Sequence, residues 1–102
     1  MKVYNKLVRD KIPQIIEDQG NRCEIRVADC NEQYNLLEAK LQEEVKEFLD
    51  AKNLEELADI MEVLFGLANS LGYSESDLIK KREEKKEERG AFREGIVLEK
   101  VY

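Results

Sequence analysis

A chain of 102 residues is long enough for one domain with its own core, and we predict a single domain over residues 1–102. The formal charge of −6 argues against a general nucleic-acid binder, which needs a basic surface. The sequence has no apolar run that could cross a membrane and no signal-peptide pattern, and its two cysteines do not make a disulfide framework, so we expect a cytoplasmic protein with reduced thiols. Histidine is absent, which excludes His-based catalysis and most zinc sites and leaves carboxylate chemistry or a metal with oxygen ligands.

The first third of the chain predicts an extended start, one short helix and one short strand. Met1–Arg9 mixes apolar and basic residues without helical periodicity, and we expect it to be extended. Asp10 is a suitable N-cap for a helix over Lys11–Gln19, and Gly20 is a suitable stop. Cys23–Val27 alternates apolar and polar residues, which is the period of a strand.

Two helices joined by a short break form the centre of the chain. Apolar residues recur at helical spacing from about Asn31 to Leu71, with the break near Lys52 and Asn53. Ser74 then fits the N-cap of a third long helix over Glu75–Arg89.

The tail Gly95–Val101 alternates like a second strand that could pair with Cys23–Val27. Only the central pair of helices has a rich apolar face. We therefore predict a mainly α fold in which this helical hairpin is the core of a four-helix-type bundle completed by homo-oligomerisation, as a homodimer or homotetramer, with short β segments at the two alternating stretches.

Each central helix carries two carboxylates three residues apart, on the flank of its apolar face. The pairs are Glu44 with Glu47 and Glu56 with Asp59. At about 1.5 Å rise per residue, a hairpin offsets the two pairs by only about 2–3 Å. Four carboxylates facing one another repel unless a cation binds them, and hard cations such as Mg²⁺ prefer oxygen ligands.

The acidic and basic residues named as candidates can also be explained by a role in the fold alone. Acidic runs are most often solvated helix faces, and the step from Asn53 to Glu56 fits a capping box. The basic residues of the third helix, Lys85 and Arg89 among them, can pair with acidic neighbours along an exposed helix, and Arg9 carries the same ambiguity.

Four blocks of the sequence together resemble the MazG-like, all-α nucleoside triphosphate pyrophosphohydrolases, which include phosphoribosyl-ATP pyrophosphohydrolase. The middle blocks are similar to the Glu-x-x-Glu and Glu-x-x-Asp metal motif of that family, and the outer blocks are similar to its small stand-alone members. The blocks cover nearly the whole chain and are Tyr4–Pro13, Lys40–Glu47, Glu55–Ile60 and Lys85–Phe92.

The resemblance implies Mg²⁺-dependent hydrolysis of a nucleoside triphosphate to monophosphate and pyrophosphate, in nucleotide-pool house-cleaning, with Mn²⁺ as a substitute metal. It implies that Glu44, Glu47, Glu56 and Asp59 are the metal ligands. Glu47 is our candidate for the residue that holds the attacking water. The candidates for phosphate binding are Arg9, Lys85 and Arg89.

The connection between the two pairs of carboxylates is short, at eight residues from Phe48 to Glu55. This length leaves Glu43 and Glu62 as alternative ligands. Two other functions stay open from the sequence: a non-catalytic regulator that binds nucleotide or metal on the same scaffold, and a helical interaction module whose acidic face meets a basic partner.

Overall fold

A computed structural model describes residues 1–102 and contains four helices and no strand. The helices are α1 (Ile12–Asp18), α2 (Cys30–Ala51), α3 (Leu54–Ser70) and α4 (Glu75–Arg89). The predicted mainly α class is confirmed. None of the helices is long and apolar enough to span a bilayer.

The hairpin of α2 and α3 turns on two residues. Lys52 ends α2 in the left-handed conformation at φ 54°, and its N–H donates to the Phe48 carbonyl at 2.7 Å. Asn53 then caps α3, because its side-chain oxygen accepts a hydrogen bond from the Glu56 N–H at 3.0 Å. So tight a turn makes the two helices antiparallel neighbours and fixes their register, which decides the carboxylates that can meet.

The two helices approach closely near Gly66. A Cβ at this position would lie 3.0 Å from the Leu37 Cδ2 atom, so the packing leaves room for glycine alone without a shift. Leu37, Val63 and Ala68 are the only apolar residues more than nine-tenths buried. The core is therefore thin, and the molecule is elongated, with extents of 61 × 31 × 23 Å.

The two predicted β segments are wrong. Cys23–Val27 and Gly95–Val101 contain no strand, and apart from the half-buried Cys23 their apolar side chains are exposed, with Val27 at 91% and Val101 at 83%. Neither segment has a partner strand or a helix face over it, and a two-stranded ribbon without such support is marginal. The first segment is instead tied to α2 by Arg26, whose guanidinium donates to both carboxylate oxygens of Glu32 at 2.6 and 2.7 Å.

The observed ends of α1 and α4 agree in part with the ends predicted from the sequence. Lys11, not Asp10, is the N-cap of α1, and no side chain caps that helix. Ser74 caps α4 as expected, in a capping box completed by the Asp77 side chain. α4 spans the predicted residues and ends before Gly90, whose φ of 85° favours glycine.

Candidate metal centre

The fourth residue more than nine-tenths buried is a carboxylate, Glu44, which is 7% exposed in the interface of α2 and α3. It lies seven residues after Leu37, so helical periodicity turns it toward α3. Its Oε1 atom lies 3.6 Å from the Lys40 Nζ atom, whereas its Oε2 atom is buried and accepts no hydrogen bond. A buried oxygen without a partner is costly, and a cation could supply the missing partner.

Two residues of α3 face Glu44. Carboxylate oxygens of Glu44, Glu56 and Asp59 all lie within 4.8 Å of one another. The Glu56 Oε2 atom is also buried without a hydrogen-bond partner. The structure thus brings together three of the four predicted ligands, one from α2 and two from α3.

The fourth predicted ligand, Glu47, belongs to a second group. Oxygens of Glu43, Glu44 and Glu47 lie within 4.8 Å of one another, so the two groups share Glu44. Glu47 is exposed at the outer side of this arrangement. Glu62 belongs to neither group, and its side chain is exposed on α3. The two groups together are called the carboxylate cluster below: Glu43, Glu44, Glu47, Glu56 and Asp59.

Two carboxylates of the cluster, Glu44 and Glu56, hold their protons more tightly than isolated carboxylates do. Burial raises the pKa of Glu44 above its usual value, and the neighbouring Glu47 raises it further, while Lys40 opposes the shift. Burial also raises the pKa of Glu56, with added repulsion from Glu47 and Asp59. Both pKa shifts have the same main cause: burial disfavours the charged form of the carboxylate, and the repulsion of neighbouring carboxylates adds to it.

Three basic side chains reach the cluster. The Arg9 Nη2 atom lies 2.6 Å from Asp59 Oδ1, and the Lys6 Nζ atom lies 3.7 Å from Glu43 Oε1. Lys40 lies 3.5 Å from Glu43 and 3.6 Å from Glu44. Five carboxylates therefore meet three cations, which leaves an excess of two negative charges when all are ionised. That excess is the charge of one divalent cation.

The other two predicted phosphate-binding residues are not at the cluster. Lys85 and Arg89 form no ion pair in the chain and lie on the exposed helix α4. Lys40 was missed by the sequence analysis, although its spacing of three and four residues from Glu43 and Glu44 is a recognised signal for ion pairs on a helix.

The donor set fits a hard divalent cation. It consists of carboxylate oxygens alone, with no thiol, and two of the oxygens are buried without a partner. No family model, curated protein or solved structure matches the chain.

Proposed function

We propose that this protein is a Mg²⁺-dependent nucleotide pyrophosphohydrolase, which hydrolyses a nucleoside triphosphate to the monophosphate and pyrophosphate. The observation that carries the proposal is the buried Glu44 carboxylate, which lies close to Glu56 and Asp59 across the hairpin and whose Oε2 atom has no hydrogen-bond partner. A buried carboxylate oxygen without a partner is costly, and a bound cation would offset that cost. The sequence resemblance described above supports the same reaction.

Glu44, Glu56 and Asp59 would hold the metal, with Glu47 as a fourth ligand on the exposed side. Bound there, Mg²⁺, or Mn²⁺ in its place, supplies positive charge that offsets the charge of the phosphate oxygens during phosphoryl transfer. The buried position of Glu44 holds its carboxylate in one orientation, which favours a defined coordination geometry.

Other side chains of the chain would act on the substrate. Glu47 is exposed at the rim of the cluster, where a carboxylate can orient a water molecule and accept its proton. Arg9 can bind phosphate oxygens in a bidentate manner and stabilise the leaving pyrophosphate. Lys85 and Arg89 would bind phosphate oxygens of the same substrate from α4.

A homodimer or homotetramer would complete the fold. Half-exposed apolar side chains form a stripe on the hairpin, at 38–57% exposure: Val45, Leu49, Leu57, Met61 and Leu64. On α3 they recur at intervals of four and three residues, which is the spacing of a helix–helix seam. A second hairpin packed on this stripe would make the four-helix bundle and cover the thin core.

Met61→Glu should dissociate this oligomer, because it places a charge in the centre of the apolar stripe. Sedimentation velocity should show a wild-type dimer or tetramer and a monomeric variant. Val97→Glu is the control, since Val97 is exposed outside the stripe, and it should sediment like the wild type. A monomeric wild type at high protein concentration would contradict the proposed bundle.

The reaction is tested with a panel of nucleoside triphosphates, by measuring pyrophosphate release with Mg²⁺, with Mn²⁺ and with EDTA. We expect release from at least one of them with either metal, and none in EDTA. The proposed role of this activity is to clear modified or surplus nucleotides in the cytoplasm.

Two other outcomes of the panel would replace the proposal. No turnover, but a rise in melting temperature with Mg²⁺ and nucleotide, would identify a binding regulator, since a ligand stabilises the state that it binds. No response to either ligand would favour a helical interaction module with an acidic face.

A further inference from the structure

Arg9 is the basic residue in closest contact with the carboxylate cluster. It belongs to the segment before α1, which has no regular secondary structure, yet its guanidinium lies 2.6 Å from a carboxylate fifty residues further along the chain. Lys6 of the same segment lies 3.7 Å from Glu43. These two ion pairs hold the segment against the carboxylate cluster.

The contact of Arg9 conflicts with metal binding. Asp59 Oδ1 accepts a short hydrogen bond from Arg9, so the charge of a carboxylate that a cation would coordinate is already neutralised by the guanidinium. Two positive groups at one carboxylate also repel each other. A divalent cation that binds Asp59 must therefore compete with Arg9.

The ion pair of Arg9 and Asp59 is weak enough for a cation to replace the guanidinium. The side chains of Arg9 and Asp59 are 56% and 39% exposed, and exposed ion pairs of this kind are weak. Glu44 and Glu56, by contrast, keep buried oxygens without any partner. A cation can therefore enter against the two free oxygens first and take Asp59 from Arg9 afterwards.

We propose that Arg9 is an exchangeable counter-ion of the cluster: it holds Asp59 in the metal-free protein, releases it when a divalent cation binds, and then binds a phosphate group of the substrate. The second half of this inference rests on the proposed function, whereas the first half concerns the metal alone. Guanidinium groups bind phosphate in a bidentate manner, so the freed Arg9 gains a partner at the place where the metal brings the phosphates. Arg9 thus opposes metal binding and favours nucleotide binding.

The first test is the affinity for Mn²⁺ alone, measured by calorimetry on the wild type, Arg9→Gln and Lys11→Gln. If Arg9 occupies Asp59 in about four of five metal-free molecules, as a weak exposed ion pair allows, its removal should tighten Mn²⁺ binding roughly fivefold. Lys11→Gln removes the same charge two residues away, from a side chain that forms no ion pair, and should change the affinity by less than about twofold. Unchanged or weaker Mn²⁺ binding by Arg9→Gln would overturn the proposal, and so would an equal gain in both variants.

The second test separates the inference from the proposed function. At saturating Mn²⁺, Arg9→Gln should bind a non-hydrolysable triphosphate analogue at least about tenfold more weakly, because a charge-assisted contact is lost. Arg9→Lys should restore part of that loss. With Mg²⁺ in place of Mn²⁺, the side-chain Nε–H resonance of Arg9 should shift on addition of the metal and again on addition of the analogue.

The outcomes remain distinguishable. If the wild type binds Mn²⁺ but hydrolyses no triphosphate, the proposed function is wrong. The competition between Arg9 and the cation at Asp59 is then still decided by the Mn²⁺ affinities of the variants. A wild type that hydrolyses a triphosphate, together with an Arg9→Gln variant of unchanged analogue affinity, overturns the phosphate-binding role of Arg9 alone.

Discussion

Glu44→Gln should lower Mg²⁺-dependent pyrophosphate release by about two to three orders of magnitude. Glutamine has nearly the shape of glutamate and fits the same buried position, but it carries no charge and is a poor ligand for Mg²⁺. Both groups of carboxylates in the cluster contain Glu44, so the loss of its charge weakens each of them. The measurement is the rate of release on the best triphosphate of the panel.

The variant should fold at least as well as the wild type. The substitution removes a buried charge whose Oε2 atom has no partner, and the new amide can donate a hydrogen bond to a neighbouring carboxylate. Lys40 keeps its second partner, Glu43. The melting temperature without metal should therefore be unchanged or higher, and this result separates lost chemistry from lost structure.

Glu62→Gln is the matched control for Glu44→Gln. Glu62 is an exposed glutamate on α3 outside both groups of the cluster, so its neutralisation changes the net charge equally but should leave turnover within about twofold of the wild type. Equal losses in the two variants would mean that turnover depends on net charge and not on the cluster. Full turnover by Glu44→Gln would remove the observation on which the proposed function rests.

The hairpin and its facing carboxylates could be predicted because local rules determine them. The 3.6-residue period assigns Glu44 and Glu56 to the helix flanks that face each other. The two-residue turn at Lys52 and Asn53 then fixes the heights of the two pairs, without any need to know the rest of the fold.

The two strands could not be predicted correctly from alternation. Segments such as Gly95–Val101 show a period of two, but a strand also requires a partner at hydrogen-bonding distance, and the pattern does not say whether one exists. The contact of Arg9 with Asp59 could not be predicted for the same reason. It depends on where an irregular segment lies in three dimensions, so Arg9 could be named from the sequence as a candidate for phosphate binding but not as a partner of Asp59.

The cap of α3 shows how one residue can have two roles. Asn53 accepts a hydrogen bond from the Glu56 N–H, but the reciprocal bond from the Asn53 N–H to the Glu56 carboxylate, which would complete a capping box, is absent. The Glu56 carboxylate instead points into the cluster with a buried, unpartnered Oε2 atom. The cap is therefore made by Asn53 and the Glu56 backbone, while the Glu56 side chain is free for a metal.

Glu56→Gln should stabilise the metal-free protein at neutral pH, by an amount that grows with pH. Folding raises the pKa of Glu56 above its ordinary value of 4.5, so above that value the folded state binds more protons than the unfolded state. The contribution of Glu56 to stability is therefore fully present below 4.5 and is lost as the pH rises through the folded pKa. Glutamine stays neutral and escapes this loss.

The measurement is the melting temperature of Glu56→Gln minus that of the wild type, from pH 4 to pH 8 in EDTA. The difference should be near zero at pH 4 and positive at pH 8. Taking the difference cancels the contributions of Glu32 and Asp77, whose lowered pKa values act in the opposite direction in both proteins. Saturating Mg²⁺ should reverse the sign at pH 8, because the metal stabilises only the protein that retains the full set of ligands.

Asn53→Ala provides the comparison for a purely structural loss. It removes the side-chain oxygen that caps α3 and should cost about 1 kcal/mol of stability, equally at every pH above 4.5 and with or without Mg²⁺. If Glu56→Gln behaves like Asn53→Ala, with a constant loss that metal does not change, then the Glu56 carboxylate serves the helix end and the metal centre lacks one of its ligands. A gain that rises with pH and turns into a loss with Mg²⁺ is the signature of a carboxylate held in place for a cation.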